Sequence, residues 1–74
     1  MAEHIRYGII GCGMMGQEHM RNIALLPDAS VAAFFEPDAD MAARAQAICP
    51  EAQAVDRLDA LLAVPELDCL LIGS

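Results

Sequence analysis

The sequence predicts an α/β fold built on a parallel sheet, and three observations carry that prediction. Short, almost wholly apolar runs at Ile5 to Ile10, Ser30 to Phe35 and Cys69 to Ile72 have the length and pattern of strands covered on both faces. Between them lie stretches whose apolar residues recur at helical spacing, closed off by prolines. The first strand also runs directly into Gly11-Cys12-Gly13-Met14-Met15-Gly16, a glycine-rich turn of the kind that joins a strand to a helix.

The elements follow in order. Gly8, inside the first strand, is expected to mark close approach of a helix. From Met14 to Leu26 the apolar positions Met20, Ile23 and Ala24 form one stripe, with Gln17, Glu18, Arg21 and Asn22 elsewhere on the wheel, and Pro27 ends the helix. The second strand carries Glu36 at its carboxyl end. Asp38 is placed to cap a second helix whose stripe is Met41, Ala42, Ala45 and Ile48, stopping at Pro50. Asp40 and Arg44 stand four apart and are expected to pair on its outer face. A short extended piece at Ala54 and Val55 precedes a third helix, Arg57 to Ala63, capped by Asp56 and presenting Leu58, Leu61 and Leu62 on one face. Pro65 closes it. Asp68 leads into the last strand, followed by Gly73 and Ser74. Right-handed crossovers arrange four parallel strands in the order 3-2-1-4 with helices on both faces, a partial and truncated Rossmann fold.

Composition narrows the function. With 57% hydrophobic residues but 4% aromatic, the core is expected to be built from Ala, Leu, Ile, Val and Met. The net charge of −7, with four arginines and no lysine, gives no electrostatic footprint for nucleic acid. No apolar run approaches the roughly 20 residues of a membrane span, and the start lacks a signal-peptide layout, so a cytoplasmic protein is expected. Cys12, Cys49 and Cys69 have no Cys-x-x-Cys pairing and no zinc-ligand spacing to His4 or His19. They read as reduced thiols, Cys49 and Cys69 as small buried residues and Cys12 as a turn position whose side chain is largely free to vary.

The glycine turn points to a dinucleotide. Gly11 permits the sharp turn out of the strand, Gly13 lets backbone approach a pyrophosphate, and Gly16 lets the helix lie close to the sheet. Glu36 follows about 20 positions after Gly16, where an acidic residue hydrogen-bonds ribose hydroxyls. The unpaired N–H groups at the helix start favour phosphate. Because the strand order reverses between the first and fourth strands, Gly11 to Gly16, Glu36 and Ser74 converge on one crevice at the carboxyl ends. An FAD-binding reading is disfavoured because Met20 and Pro27 stand where small residues are wanted, and a methyltransferase turn would place glycine where Met15 stands.

On these residues the chain resembles the glucose-fructose oxidoreductase, inositol dehydrogenase and rhizopine-catabolism (Gfo/Idh/MocA) family. The matching features are Tyr-Gly-Ile-Ile-Gly-Cys-Gly-Met-Met-Gly with His19 three residues on, Glu36-Pro37-Asp38 before an alanine-rich helix, and the ending Leu-Asp-Cys-Leu-Leu-Ile-Gly-Ser. The resemblance implies that Gly11, Gly13 and Gly16, with the backbone of Met14 and Met15, hold the pyrophosphate of a nicotinamide cofactor. It implies that Glu36 takes the adenosine ribose and that Ser74 lies near the nicotinamide half. NAD is expected rather than NADP, since Glu36 would repel a 2′-phosphate. The family's catalytic Lys and downstream His belong to segments this chain does not contain, so residues 1–74 are expected to be an incomplete N-terminal dinucleotide-binding domain without its substrate domain. The complete protein is expected to act on a sugar, polyol or related hydroxyl compound and to form a homo-oligomer. The alternative is a dinucleotide-binding or sensing module that performs no reaction.

Overall fold

The computed structural model describes residues 4–73. Strands β1 (Ile5–Ile10), β2 (Ala29–Phe35), β3 (Gln53–Val55) and β4 (Cys69–Ile72) alternate with helices α1 (Met14–Ala24), α2 (Ala39–Ile48) and α3 (Leu58–Leu62). All strand pairs are parallel and the sheet order is β3-β2-β1-β4. This is the expected topology.

Pairing of β1 with β2 carries a one-residue irregularity. Tyr7 lies opposite Val31, but Gly8 lies opposite Ala33. The extra residue resets the alternation along β2, so Val31 and Phe34, three apart, share the face that Tyr7 and Ile9 occupy on β1. The main core sits on that face, where Ile9, Val31 and Phe34 pack with Met20 and Ile23 of α1 and Ala45 of α2. On the opposite face, a Cβ added to Gly8 would come within 2.8 Å of Leu70, 3.1 Å of Leu67 and 3.4 Å of Leu61 on α3. Gly8 thus marks the close approach of leucines from the adjoining strand and turn as well as from a helix, and helices do cover both faces.

Local chemistry explains both ends of α2 and the start of β4. Asp38 caps α2 by accepting the Met41 N–H at 3.0 Å, and Gln46 closes the turn after it by donating to the carbonyls of Cys49 at 3.1 Å and Ala52 at 2.8 Å. Before β4, the Arg6 N–H donates to the Asp68 carboxylate and the Asp68 N–H to the Arg6 carbonyl, both at 2.8 Å, extending the β1–β4 ladder.

Several expectations differ from the structure. α1 stops at Ala24, and that residue is exposed rather than part of the stripe. Arg57, without a side-chain hydrogen bond, occupies the cap position of α3 in place of Asp56. Asp40 and Arg44 form no ion pair; among the described residues the ion pairs are Arg6–Glu66, Glu18–Arg21 and Arg57–Asp59, with exposed side chains. Cys69 is exposed because β4 is an edge strand paired only with β1.

Candidate functional site

Three strand ends and one helix start meet at the carboxyl edge of the sheet. Gly11, the first residue beyond β1, has φ 84°, a left-handed conformation that favours glycine. Its N–H donates to the Phe35 carbonyl at 2.9 Å, tying the turn to the end of β2. A Cβ on Gly16 would overlap the Gly11 carbonyl oxygen. One on Gly73 would come within 2.5 Å of the Gly16 Cα and 2.6 Å of that same oxygen. Gly11, Gly16 and Gly73 therefore let β1, α1 and the end of β4 close on one another, and the Gly73 N–H completes the junction by donating to the Ile10 carbonyl at 2.8 Å. Gly73 was not singled out from the sequence. The only available signal was its place after an apolar strand.

Gly13 has the opposite surroundings. Its backbone angles, φ −72° and ψ −159°, suit any residue, and nothing lies within 4 Å of where its Cβ would be. No internal packing demands glycine there; the open space is on the outside of the turn. The first bond of α1 runs from the Gln17 N–H to the Gly13 carbonyl at 2.9 Å, so the N–H groups of Met14, Met15 and Gly16 have no acceptor within the helix. Gly13 also has no side chain to cap them, in contrast to Asp38 at the start of α2. The Met14 and Met15 side chains are exposed, whereas Gly16 is buried against Gly73.

Glu36 directly follows β2 and reaches across to the glycine turn. One carboxylate oxygen accepts the Cys12 N–H at 2.6 Å and the other accepts the Asp38 N–H at 2.9 Å. Two charge-assisted bonds to backbone fix the carboxylate beside the turn, and each oxygen keeps a lone pair for a further donor. A fixed acceptor for hydroxyls thus stands next to a helix start with free N–H donors for phosphate.

Two residues behave differently from the sequence reading. Cys12 is fully buried in the core, so its side chain is not free to vary; burial, and then the neighbouring Glu36 charge and Cys49, push its thiol up to about 12. Gln17, placed on the polar side of the wheel, is buried and donates to the Cys12 carbonyl at 2.9 Å and toward the Met41 sulfur at 3.5 Å. Only its position immediately after Gly16 hinted at this. His19 is half-buried one turn further along α1, and Ser74 lies outside the described residues.

Two cavities, of about 290 and 310 Å³, lie near the amino ends of the strands, away from the glycine turn. The first is bounded by Leu62, Leu67 and Leu70, the second by Ser30, Val31 and Cys49. Neither combines the donors and acceptor gathered at the carboxyl edge. No helix among the described residues is long and apolar enough to cross a membrane.

Comparison with known proteins agrees with the fold. The family model described as "Oxidoreductase family, NAD-binding Rossmann fold" matches residues 5–74. An inositol 2-dehydrogenase of Corynebacterium glutamicum is 37% identical over 74 residues, covering 99% of this chain and 22% of the relative. Among solved structures, the myo-inositol dehydrogenase of Lactobacillus casei in complex with NAD(H) and myo-inositol superposes with a TM-score of 0.83 at 29% identity, over 96% of this chain and 22% of that one. A myo-inositol dehydrogenase from Corynebacterium glutamicum gives 0.83 at 31% identity, over 96% and 21%. The chain therefore spans about a fifth of the length of the relatives it matches. With the family match over residues 5–74 and the parallel sheet in the order β3-β2-β1-β4, this chain belongs to the Gfo/Idh/MocA oxidoreductases, as part of their NAD-binding Rossmann fold.

Proposed function

We propose that Gly11, Gly13, Met14, Met15 and Gly16 bind the pyrophosphate of NAD and that Glu36 binds its adenosine ribose, the chain serving as the cofactor-binding part of an oxidoreductase acting on a polyol or sugar. The observation that carries this reading is the pairing of an open, uncapped helix start at Gly13 with a carboxylate fixed beside it. The nicotinamide cofactor supplies hydride chemistry when bound; this chain's residues bind and orient it. Similarity to inositol dehydrogenases favours a cyclic polyol as the substrate of the longer protein. Ser74, outside the described residues, is assigned to the nicotinamide side in this reading.

NAD is favoured over NADP because Glu36 offers negative charge where a 2′-phosphate would sit, and Pro37 and Asp38 supply no compensating cation. In the longer protein, residues 1–74 form the start of the dinucleotide domain, with the substrate domain following; a cytoplasmic homo-oligomer completes the reading.

Titrating the chain with NAD and NADP by calorimetry tests the assignment. NAD is expected to bind at least tenfold more tightly, and Glu36→Ala to abolish the preference. Tighter binding of NADP, or unchanged NAD affinity in Glu36→Ala, would overturn it.

Catalysis by residues 1–74 alone is not expected. Hydride transfer at a carbon bearing oxygen requires a proton donor or acceptor beside that oxygen. His4 lies at the far end of β1, bonded to Ser30 at 2.8 Å, and Tyr7 is within the strand. An NADH-formation assay with inositol and a panel of sugars checks this, and turnover lost on His19→Ala would contradict it.

A further inference from the structure

We infer that Gln17 is the positioning residue of the glycine turn, holding the Cys12–Gly13 peptide so that the Gly13 N–H faces outward toward the phosphate position. The inference rests on the dinucleotide reading above and adds a residue to it.

Its basis is the treatment of Cys12 from both sides. Its N–H is held by Glu36 at 2.6 Å, and its carbonyl is held by the Gln17 side-chain amide at 2.9 Å. The peptides are trans, so the carbonyl of residue 12 and the N–H of residue 13 point in opposite directions. Drawing the carbonyl inward to a buried amide turns the Gly13 N–H away from the core. The amide itself is fixed: Gln17 is buried on the first turn of α1 and its nitrogen also lies 3.5 Å from the Met41 sulfur on α2. Among the described residues no other donor faces this carbonyl, so without Gln17 it loses its protein partner. Glu36 restrains only the preceding peptide. The residue thus joins the two helices on this face of the sheet to a peptide whose N–H borders the proposed phosphate position.

The test uses Gln17→Met, which keeps length and apolar bulk but removes the donor. In the free 74-residue chain, labelled with ¹³C and ¹⁵N, the Cys12 carbonyl and Gly13 amide resonances are expected to move in the variant, with the Leu61 methyl signals in place. Equal Cys12 and Gly13 shifts in the two chains would overturn the inference whether or not anything binds. Titration with NAD and, separately, with adenosine supplies the second readout. Gln17→Met is expected to lose about tenfold in NAD affinity with adenosine affinity unchanged, because adenosine lacks the pyrophosphate. A parallel loss for both ligands indicates general structural damage and contradicts the positioning role. Failure of the unsubstituted chain to bind NAD refutes the dinucleotide reading instead, and the resonance comparison still decides the role of Gln17.

Discussion

Cys12 shows how a residue in a binding turn can belong to the core. Its thiol is buried and pushed from 9.0 to about 12 by burial first and by Glu36 second, and the half-buried Cys49 is raised in the same direction by burial. The folded chain therefore holds these protons at pH values where the unfolded chain has released them. The contribution of these thiols to stability is constant below about pH 9 and falls as pH rises from about 9 to about 12. Chemical denaturation across that window is expected to show the decline, and Cys12→Ala to flatten it; an unchanged slope would contradict the assignment. At neutral pH, thiol reagents are expected to label the exposed Cys69 and to spare Cys12, since the thiolate is the reactive form. Sequence reading located the backbone role of residue 12 but not its burial. A lone cysteine among glycines has no periodicity to show which way its side chain turns. Gln17 was obscured for a related reason, because helical spacing sorts side chains by polarity and a buried amide with a carbonyl partner is counted as exposed.

Glycines of the same motif play unlike parts at the level of the strand–turn–helix unit. Gly16 is needed by the chain itself, because the Gly11 carbonyl occupies the space of its Cβ. Gly13 meets no such constraint, since nothing lies within 4 Å of where its Cβ would be. Gly16→Ala is accordingly expected to lower stability sharply, seen as a large loss of Tm. Gly13→Ala is expected to change stability by about 1 kcal/mol or less while weakening NAD binding at least tenfold. Equal destabilisation by both would remove the distinction. The two long helices differ in the same way: α2 carries its own cap, so Asp38→Ala should cost about 1 kcal/mol in urea denaturation, while the start of α1 has no side-chain cap. The strand order, the cap of α2 and the stripe ending in Ile48 were all legible in the sequence, since periodicity and capping are local. The cap of α3 and the Asp40–Arg44 pair were not. A five-residue helix takes its start from the packing of Leu61, and exposed ion pairs contribute too little to fix rotamers.

The whole molecule is asymmetric in how its sheet is finished. β4 pairs only with β1, and Leu70 and Ile72 are 43% and 73% exposed, beside Leu62 of α3 at 57%. An apolar edge strand with free backbone groups invites pairing with another chain. The 74-residue chain is expected to self-associate as concentration rises, and Ile72→Lys to increase the monomer fraction in sedimentation. A strictly monomeric unsubstituted chain would contradict this. The edge was legible from four consecutive apolar residues in the last strand, and the fold order followed from the handedness of crossovers. What the sequence did not disclose was the β2 irregularity, which places Val31 and Phe34 on one face and depends on pairing between strands distant in the chain.

The central claim is that the carboxyl edge of this sheet, at the glycine turn and Glu36, is the NAD site. An amide-resolved NMR titration of the folded chain with NAD tests it most directly. The amides of Gly13, Met14, Met15 and Gly16 are expected to shift together and saturably, and Glu36→Ala to suppress the response. Shifts confined to the cavity around Ser30, Val31 and Cys49 at the opposite end of the sheet, or an unchanged response in Glu36→Ala, would contradict the account.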